Sequence, residues 1–427
     1  MHSSPTVARA QSAMPTPNRL VLTLAFLLMF VLPGNLCAKW KGEARLTSQE
    51  FFDSNVYMQK VTALANHESF GSTITPALGL SWTNDQEKDN MKLDLGYAPD
   101  IVYYYSEPSE NYFKHLWKYN FTGRKDAWSW ESINSFTWID GNTVGPTFTG
   151  PGGAPAIGGI PIRNRRAALI FKNDFKLRYD LDNWMFRAAA RYYYHDFMTE
   201  HRSTPGYLNY VDRDDINGGF DVGYNVGSKT YLVAGYRYGR QEQAKLLGSP
   251  IAYSSDYHRA LFGIEGSPVS WAKLNISLGP DFRDFDSGGT APGFKNGQTM
   301  LYIDSSVTFL PTSHDTVTFK VIQYEQPAFG GRSVYQDITY SMDYAHTFNN
   351  SWQAKLHLEA YGGEWEAPVD RDDWIYIINP AVVYTYNAKL SFEANYCYDW
   401  AESGIPNTAG REYERHIVYL GAKYSFY

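Results

Sequence analysis

Charged side chains recur at every second position in several long segments of this chain, for example in residues 172–178. Residues two apart in an extended strand point to the same side, so these groups would share one face. Such a face could line a water-filled passage and select ions or polar solutes. The pattern assigns the following residues to it: Lys172, Asp174, Lys176, Arg178, Arg187, Arg191, Arg237, Lys273, Arg283, Lys355, Glu359, Glu393 and Lys423.

The same pattern has a second interpretation. Any closed barrel with a polar interior carries charged residues there, and ion pairs between them can fill the space and block it. We expect a pore lining and keep the blocked interior as the alternative. No cofactor is predicted.

The sequence Val-Asp-Arg-Asp-Asp occurs twice, at residues 211–215 and 369–373. Clustered carboxylates can bind Ca²⁺ through oxygen ligands. Neither copy has the glycine and distal glutamate of an EF-hand loop. The favoured interpretation is two solvated loops that lead into strands, so no metal site is predicted.

A third group consists of His195, Asp196, Glu200 and His201, close together at one predicted strand end. Histidine and aspartate at the rim of a barrel could serve a hydrolase of the lipase or protease type. No second element marks a nucleophile, and the geometry of a site cannot be argued without one. We predict that the protein is not an enzyme and keep a barrel enzyme as an alternative.

The elements that carry these residues read as strands with a period of two. In residues 389–400, Phe392, Tyr396 and Trp400 lie on one face, whereas Glu393 and Asp399 lie on the other. Similar alternation recurs in residues 169–179, 184–195, 272–278 and 352–360. Strands of about ten residues exceed the usual globular length of about five or six. They match tilted membrane-spanning strands of about 9–11 residues.

Composition supports a membrane barrel over a soluble protein. The chain has 34 Tyr, 24 Phe and 12 Trp, yet its mean hydropathy is −0.42. Many aromatics in a polar average fit a barrel that is apolar outside and polar inside. The net charge of −7 does not suggest nucleic-acid binding, which usually leaves a basic patch.

The connections alternate in length, as they do in bacterial outer-membrane barrels. Short polar turns are predicted at residues 83–89, 180–183, 227–229, 267–270, 311–315, 348–351 and 386–389. Longer loops are predicted at residues 141–165, 199–215, 241–255, 286–298, 325–333, 364–373 and 402–411. We therefore predict an all-β fold, a transmembrane antiparallel up-and-down β-barrel over residues 39–427. It has about eighteen strands, with sixteen as the alternative, because barrels of this class have even counts.

The first 38 residues are predicted to be a cleavable signal peptide. Residues 20–32 (LVLTLAFLLMFVL) form an apolar run after Arg19, too short to span a bilayer comfortably but typical of a signal core. Cleavage after Ala38 would leave Cys397 as the one cysteine, so no intramolecular disulfide is predicted. The expected location is the outer membrane of a Gram-negative cell.

Three segments resemble the family of putative β-barrel porins, type 2. They are residues 52–57 (FDSNVY), 76–80 (PALGL) and 103–105 (YYY). The resemblance covers residues 44–138 and, separately, the last strand. The resemblance implies an outer-membrane barrel, in some members associated with exopolysaccharide export. It implies no catalytic residues.

The last strand, residues 416–427 (HIVYLGAKYSFY), is amphipathic and ends in aromatics. It resembles the terminal strand by which such barrels are recognised by the barrel-assembly machinery. The other expected partners are outer-membrane lipid, lipopolysaccharide and, as a candidate, a polysaccharide. The predicted function is a porin-like channel for ions, small polar solutes or exported polysaccharide. A barrel enzyme and a structural or adhesive barrel with a blocked lumen are the alternatives.

Overall fold

The structure is a computed structural model. It describes residues 38–61, 64–85, 89–143, 147–149, 155–157, 165–198, 210–245, 249–327, 333–366, 370–406 and 411–426. Residues Lys39–Tyr427 form one compact unit, and the predicted signal peptide lies outside the described residues apart from Ala38. No helix in the described ranges is long and apolar enough to cross a membrane.

Nearly all regular structure is β. The strands are β1 Ala38–Asp53, β2 Ser69–Asp85, β3 Asp89–Tyr97, β4 Asp100–Tyr104, β5 Tyr112–Lys125, β6 Trp128–Asp140, β7 Thr147–Thr149, β8 Pro155–Ile157, β9 Ala168–Leu181, β10 Trp184–Phe197, β11 Arg213–Gly227, β12 Thr230–Gln243, β13 Ser255–Val269, β14 Ala272–Phe285, β15 Gly297–Phe309, β16 Asp315–Pro327, β17 Val334–Thr347, β18 Trp352–Trp365, β19 Arg371–Thr385, β20 Leu390–Ser403 and β21 Tyr413–Ser425. Pro108–Glu110 form one turn of 3₁₀ helix.

Nineteen of these strands form a single sheet, which closes because β1 pairs antiparallel with β21. Each barrel strand pairs antiparallel with its neighbours in the chain, and β6 pairs with β9 because β7 and β8 form a separate hairpin. Closure leaves no free sheet edge. The predicted up-and-down barrel is confirmed.

Two of the strands share one place in the wall. Both β3 and β4 pair with β2 on one side and with β5 on the other. The interruption falls at Ala98 and Pro99, because proline has no N–H to donate to the ladder. Nineteen strands therefore occupy eighteen positions, and the predicted count of eighteen is confirmed over sixteen.

The connections sort by length onto the two ends of the barrel. At one end, turns of two to five residues join the strands, and at the other end loops of five to 27 residues do so. The turn between β11 and β12 places Ser228 and Lys229 at φ 47 and 55, which is the backbone of a tight hairpin turn. In bacterial barrels the short turns face the periplasm, so we expect the long-loop end to face outward from the cell.

The outer wall of the barrel is apolar and exposed. Leu420, Phe262 and Leu278 are 61%, 60% and 42% exposed, which a water-facing surface of this extent would not tolerate. Tryptophans border the band at the short-turn end, among them Trp184 and Trp352 at 46% and 45% exposed. An apolar band with aromatic borders on a closed barrel is the surface of an outer-membrane protein. The protein is an outer-membrane β-barrel.

The interior is packed toward the long-loop end. One cluster of buried side chains joins Phe51, Val56, Tyr104 and Ile417. Cys397, the one described cysteine, is buried in the same cluster. Ion pairs of the interior lie next to these clusters, on the side nearer the short turns.

Candidate functional site

A network of ion pairs covers the interior face of β10 to β13. Arg187 donates from Nε to Asp221 Oδ2 at 2.7 Å and from Nη1 to both oxygens of Glu265 at 2.9 Å. Arg237 donates from Nη1 to Asp221 Oδ1 at 2.6 Å. Asp221 is 2% exposed, so both arginines compensate a carboxylate that burial would otherwise disfavour. Two predicted residues, Arg187 and Arg237, are thus brought together.

Arg191 makes a contact that crosses the barrel. Its Nη2 lies 2.9 Å from Asp174 Oδ2 on the adjacent strand β9 and 3.6 Å from Asp304 Oδ2 on β15. Four strands separate β10 from β15 along the wall. Only the interior of a closed barrel brings their side chains together. The Arg191–Asp304 contact therefore marks a constriction of the lumen.

A second, more deeply buried group lies on β13 to β15. Arg259 donates to Asp281 Oδ2 at 2.7 Å and stacks between the rings of Tyr257 and Tyr302, at 4.1 and 4.2 Å from their centroids. Arg283 lies 4.7 Å from the Tyr257 centroid and donates to Gln241 at 2.8 Å. Cation–π contacts are strongest when both partners are desolvated. Arg283, predicted as a lining residue, is instead buried in this stack with its side chain 0% exposed.

The remaining predicted residues are half-buried or exposed. Each of those with a recorded contact has a nearby partner: Lys172 lies over Tyr193 at 5.6 Å, Lys176 pairs with Glu131 at 3.3 Å, Arg178 with Asp180 at 2.6 Å, Lys355 with Glu393 at 3.5 Å and Glu359 with His357 at 3.7 Å. Lys273 and Lys423 are exposed. These charges are partly hydrated and loosely paired, unlike those of the buried stack.

The first long loop folds back over the long-loop end. Val56 is fully buried and Met58 is 1% exposed, although they belong to a connection. Asn55 holds the loop closed, because its Nδ2 donates to the carbonyl oxygens of Gln59 and Glu414, each at 3.0 Å. The motif FDSNVY, which carries the family resemblance, therefore forms this inward-folded loop.

Arginines from the third long loop connect it to the first and second loops. Arg165 donates to the carbonyl oxygen of Val56 at 2.6 Å, and Arg166 pairs with Glu110 at 2.9 Å. All three charged side chains are at most 6% exposed. Tyr57 donates to Glu107 at 2.8 Å. Burial, together with the Glu107 carboxylate, raises the pKa of the Tyr57 hydroxyl to about 12, so this hydroxyl stays neutral and keeps donating at physiological pH.

The two Val-Asp-Arg-Asp-Asp copies perform the same structural task. In each, the arginine stacks on an aromatic ring of the preceding strand, Arg213 on Tyr193 at 5.1 Å and Arg371 on Trp365 at 4.3 Å. Asp373 accepts from Arg371 Nε at 2.6 Å. No group of three or more metal-binding side chains occurs among the residues that the structure describes. Val369 lies outside them.

The group considered for hydrolase chemistry does not converge where it is described. His195 is buried on the interior face, stacked on Phe197 at 3.8 Å and bonded through Nδ1 to the Tyr193 hydroxyl at 2.8 Å. Asp196 is the next residue in the strand, so its side chain leaves from the opposite face. Glu200 and His201 lie outside the described residues.

Several residues of the site were not among the predicted ones. Asp221, Arg259, Asp281 and Asp304 all share the interior face with predicted neighbours. Extending the period of two through glycine-rich stretches such as residues 217–223 could have found them. The partners that they make across the lumen have no sequence signal, because they join strands far apart in the chain.

Comparisons with known proteins give only distant likenesses. No family model and no curated protein matches the chain. Among solved structures, an anion-selective porin from Comamonas acidovorans is 12% identical, with 91% of this chain and 100% of that chain covered and a TM-score of 0.40. OccK2 from Pseudomonas aeruginosa, solved with glucuronate, is 10% identical over 91% and 99%, with a TM-score of 0.43. A BenF-like porin from Pseudomonas fluorescens is 9% identical over 90% and 99%, with a TM-score of 0.43. These scores are too low to assign a family, and the resemblance to the type 2 porins stays a prediction.

Proposed function

We propose that the protein is a passive, porin-like channel for ions and small polar solutes, with its selectivity set by the ion pairs of the constriction. The observation that carries this proposal is the crossing contact of Arg191 with Asp304 at 3.6 Å. A barrel of about eighteen strands is wide enough for an aqueous channel. Side chains that meet across it narrow the passage to a size at which individual charges act on a solute.

The exposure of the crossing pair supports a passage at this point. Arg191 and Asp304 are 47% and 35% exposed, whereas Arg259 and Asp281 in the neighbouring stack are 8% and 0% exposed. A half-exposed ion pair is worth about 0–1 kcal/mol and can separate as a solute passes. The buried stack serves as the fixed wall beside it.

The narrow passage favours a small solute over a polymer. The constriction contacts, Arg187 with Glu265 at 2.9 Å and Arg191 with Asp304 at 3.6 Å, would all have to part before a polysaccharide chain passed. A second candidate function, a structural barrel with a closed lumen, is favoured by the packing of Val56 and Met58 at the long-loop end. Conductance separates these alternatives.

The test is single-channel recording in planar lipid bilayers. Asp304→Asn weakens the crossing contact and should raise the conductance above that of the wild type. The matched control is Asp343→Asn, which removes a carboxylate that, within the described ranges, pairs with His357 on the neighbouring strand at 2.8 Å and should leave the conductance unchanged. A wild type and an Asp304→Asn variant that both fold and conduct no current would refute the channel and favour the closed barrel.

A further inference from the structure

The barrel wall is incompletely paired at one place. β15 and β16 pair over seven residues each, from Ile303 with Gln323 to Phe309 with Val317. Toward the long-loop end, residues 297–302 still pair with β14 and residues 324–327 still pair with β17, but the two segments do not pair with each other. We name these two unpaired segments the seam. Without cross-strand hydrogen bonds, the seam can part at lower cost than the paired walls beside it.

An apolar cluster lies over the interior of the seam. It joins Tyr253, Phe285, Ala291 and Val334, all at most 6% exposed, with Phe294 packed against them. Phe285 ends β14 and Val334 begins β17, and both β15 and β16 stand between these strands in the sheet. Their contact therefore spans the seam. This lining is apolar, whereas the constriction below it is ionic.

Buried polar atoms without partners lie beside the apolar cluster. Glu325 has the outward parity of Gln323 in β16, yet it is fully buried near Asp281 and Arg283 of β14, so this end of β16 is turned toward the barrel interior. Among the described residues, neither of its carboxylate oxygens has a hydrogen-bond partner. Asp281 Oδ1 and Arg283 Nε, on the adjacent interior face, also have none, and both residues lie within electrostatic range of Glu325. Unpaired buried polar atoms are rare because each costs about 1–3 kcal/mol. Three acceptors and one donor in one place fit a hydroxyl group, which both donates and accepts.

The charges nearby select against an ionic ligand. Arg259 and Arg283 carry two positive charges, and Asp281 and Glu325 carry two negative charges, all of them buried. A charged head group would add a further charge to this desolvated group of residues. On the outer face, Leu301 is 46% exposed to the membrane. On the β16 side of the seam, a groove of about 500 Å³ extends from Gln323 past Ile338 to Trp374.

We propose that the seam binds an uncharged amphipathic solute and passes it between the barrel interior and the outer leaflet. The hydroxyl-bearing head lies at Glu325, Asp281 and Arg283, and the alkyl chain lies against Phe285 and Val334. Parting of β15 from β16 opens the lateral path. This function is separate from ion conduction through the lumen.

The first test clamps the seam. Leu301→Cys with Gln323→Cys places two outward thiols across it, and a bifunctional methanethiosulfonate reagent joins them reversibly. Ser305→Cys with Phe319→Cys has the same diagonal spacing in the paired part of β15 and β16 and is the control. In phospholipid vesicles, the seam clamp should reduce binding of a fluorescent monoacylglycerol at least tenfold, with recovery on reduction. The control clamp should have no effect, and ion conductance should be unchanged in both. Undiminished binding with the seam clamped would overturn the proposal.

The second test concerns Glu325. Glu325→Leu should reduce monoacylglycerol binding at least tenfold, whereas Glu325→Gln, which can still accept and donate, should reduce it less. Because Glu325→Leu removes a buried carboxylate without partners, its unfolding temperature should equal or exceed that of the wild type. A lower unfolding temperature would show that the carboxylate is structural, and unchanged binding would show that it does not meet the head group; either result counts against the site. The wild type should bind the corresponding fatty-acid anion at least tenfold more weakly than the monoacylglycerol.

Discussion

Two adjacent residues of β20 provide a sharp test of which face meets lipid. Phe392 is 44% exposed and lies on the outer face between Tyr386, near the short-turn end, and Tyr398, nearer the long loops. Glu393 lies on the opposite face, where it pairs with Lys355 at 3.5 Å. Phe392→Arg would place a guanidinium in the apolar band, and Glu393→Lys would keep its charge in the interior.

The expected magnitudes differ enough to measure. An arginine on the lipid face of a barrel costs about 2–4 kcal/mol at the midplane and about 0–1 kcal/mol near the interface. Phe392 lies within the band but toward its short-turn border, so we expect about 2 kcal/mol for Phe392→Arg. That cost lowers the folded-to-unfolded ratio roughly 30-fold. Glu393→Lys breaks a pair whose members are 44% and 35% exposed, which costs about 0–1 kcal/mol.

Urea unfolding in lipid vesicles measures both free energies, and heat-modifiable migration on gels monitors the folded fraction. Planar-bilayer recording adds a second readout, because Glu393→Lys adds positive charge to the interior and should shift the reversal potential toward anion selectivity. The reasoning fails if Glu393→Lys destabilises the barrel more than Phe392→Arg does. That result would mean a register error of one residue, since a single slip moves every side chain to the other face.

Three further predictions concern topology, processing and the first loop. An epitope inserted near Gly152 should be labelled on whole cells and one at Ser228 should not; the reverse labelling would invert the barrel. N-terminal sequencing of the envelope protein should begin within a few residues of Lys39, and recovery of an intact segment 20–32 would contradict a cleaved signal. Glu110→Gln leaves Arg166, 1% exposed, without its partner carboxylate, and removes the charge 3.6 Å from Arg165, which holds the first loop at Val56. Loss of one member of a buried pair costs about 3–5 kcal/mol, so protease should cut the first loop faster than in the wild type, and equal cutting rates would show that the pair does not hold the loop.

Much of the wall could be predicted from residue order. The alternation in residues 389–400 identifies the faces of β20, because consecutive side chains in a strand must point to opposite sides. The lengths of the connections predict the closed up-and-down topology, because antiparallel neighbours need only short turns at one end. The pair of strands around residue 125 has a short turn with little sequence signal. Its turn consists of Asp126 and Ala127 alone, and Asp126 adopts a left-handed φ of 52.

The sequence could predict that the lumen is lined by charged side chains, but it could not predict how those side chains pair. The charged character of Arg191 and Arg187 follows from the pattern, but their partners Asp304 and Glu265 lie on strands far away in the chain. The burial of Arg283 was also beyond prediction, since alternation assigns a face and says nothing about depth. Depth depends on which loops fold inward. The sequence FDSNVY does not indicate inward folding, because the contacts of Asn55 and Arg165 that hold this loop form only in the tertiary structure.

By itself, the sequence predicted the all-β barrel, its count of about eighteen strands and the alternation of lipid-facing and interior residues. These properties are local, because they depend on the period of two and on the lengths of the turns. Tertiary structure alone decided where the lumen narrows, which long loop fills its mouth and where β15 parts from β16. Those properties arise from curvature and closure of the sheet, which bring together side chains that no spacing in the chain relates.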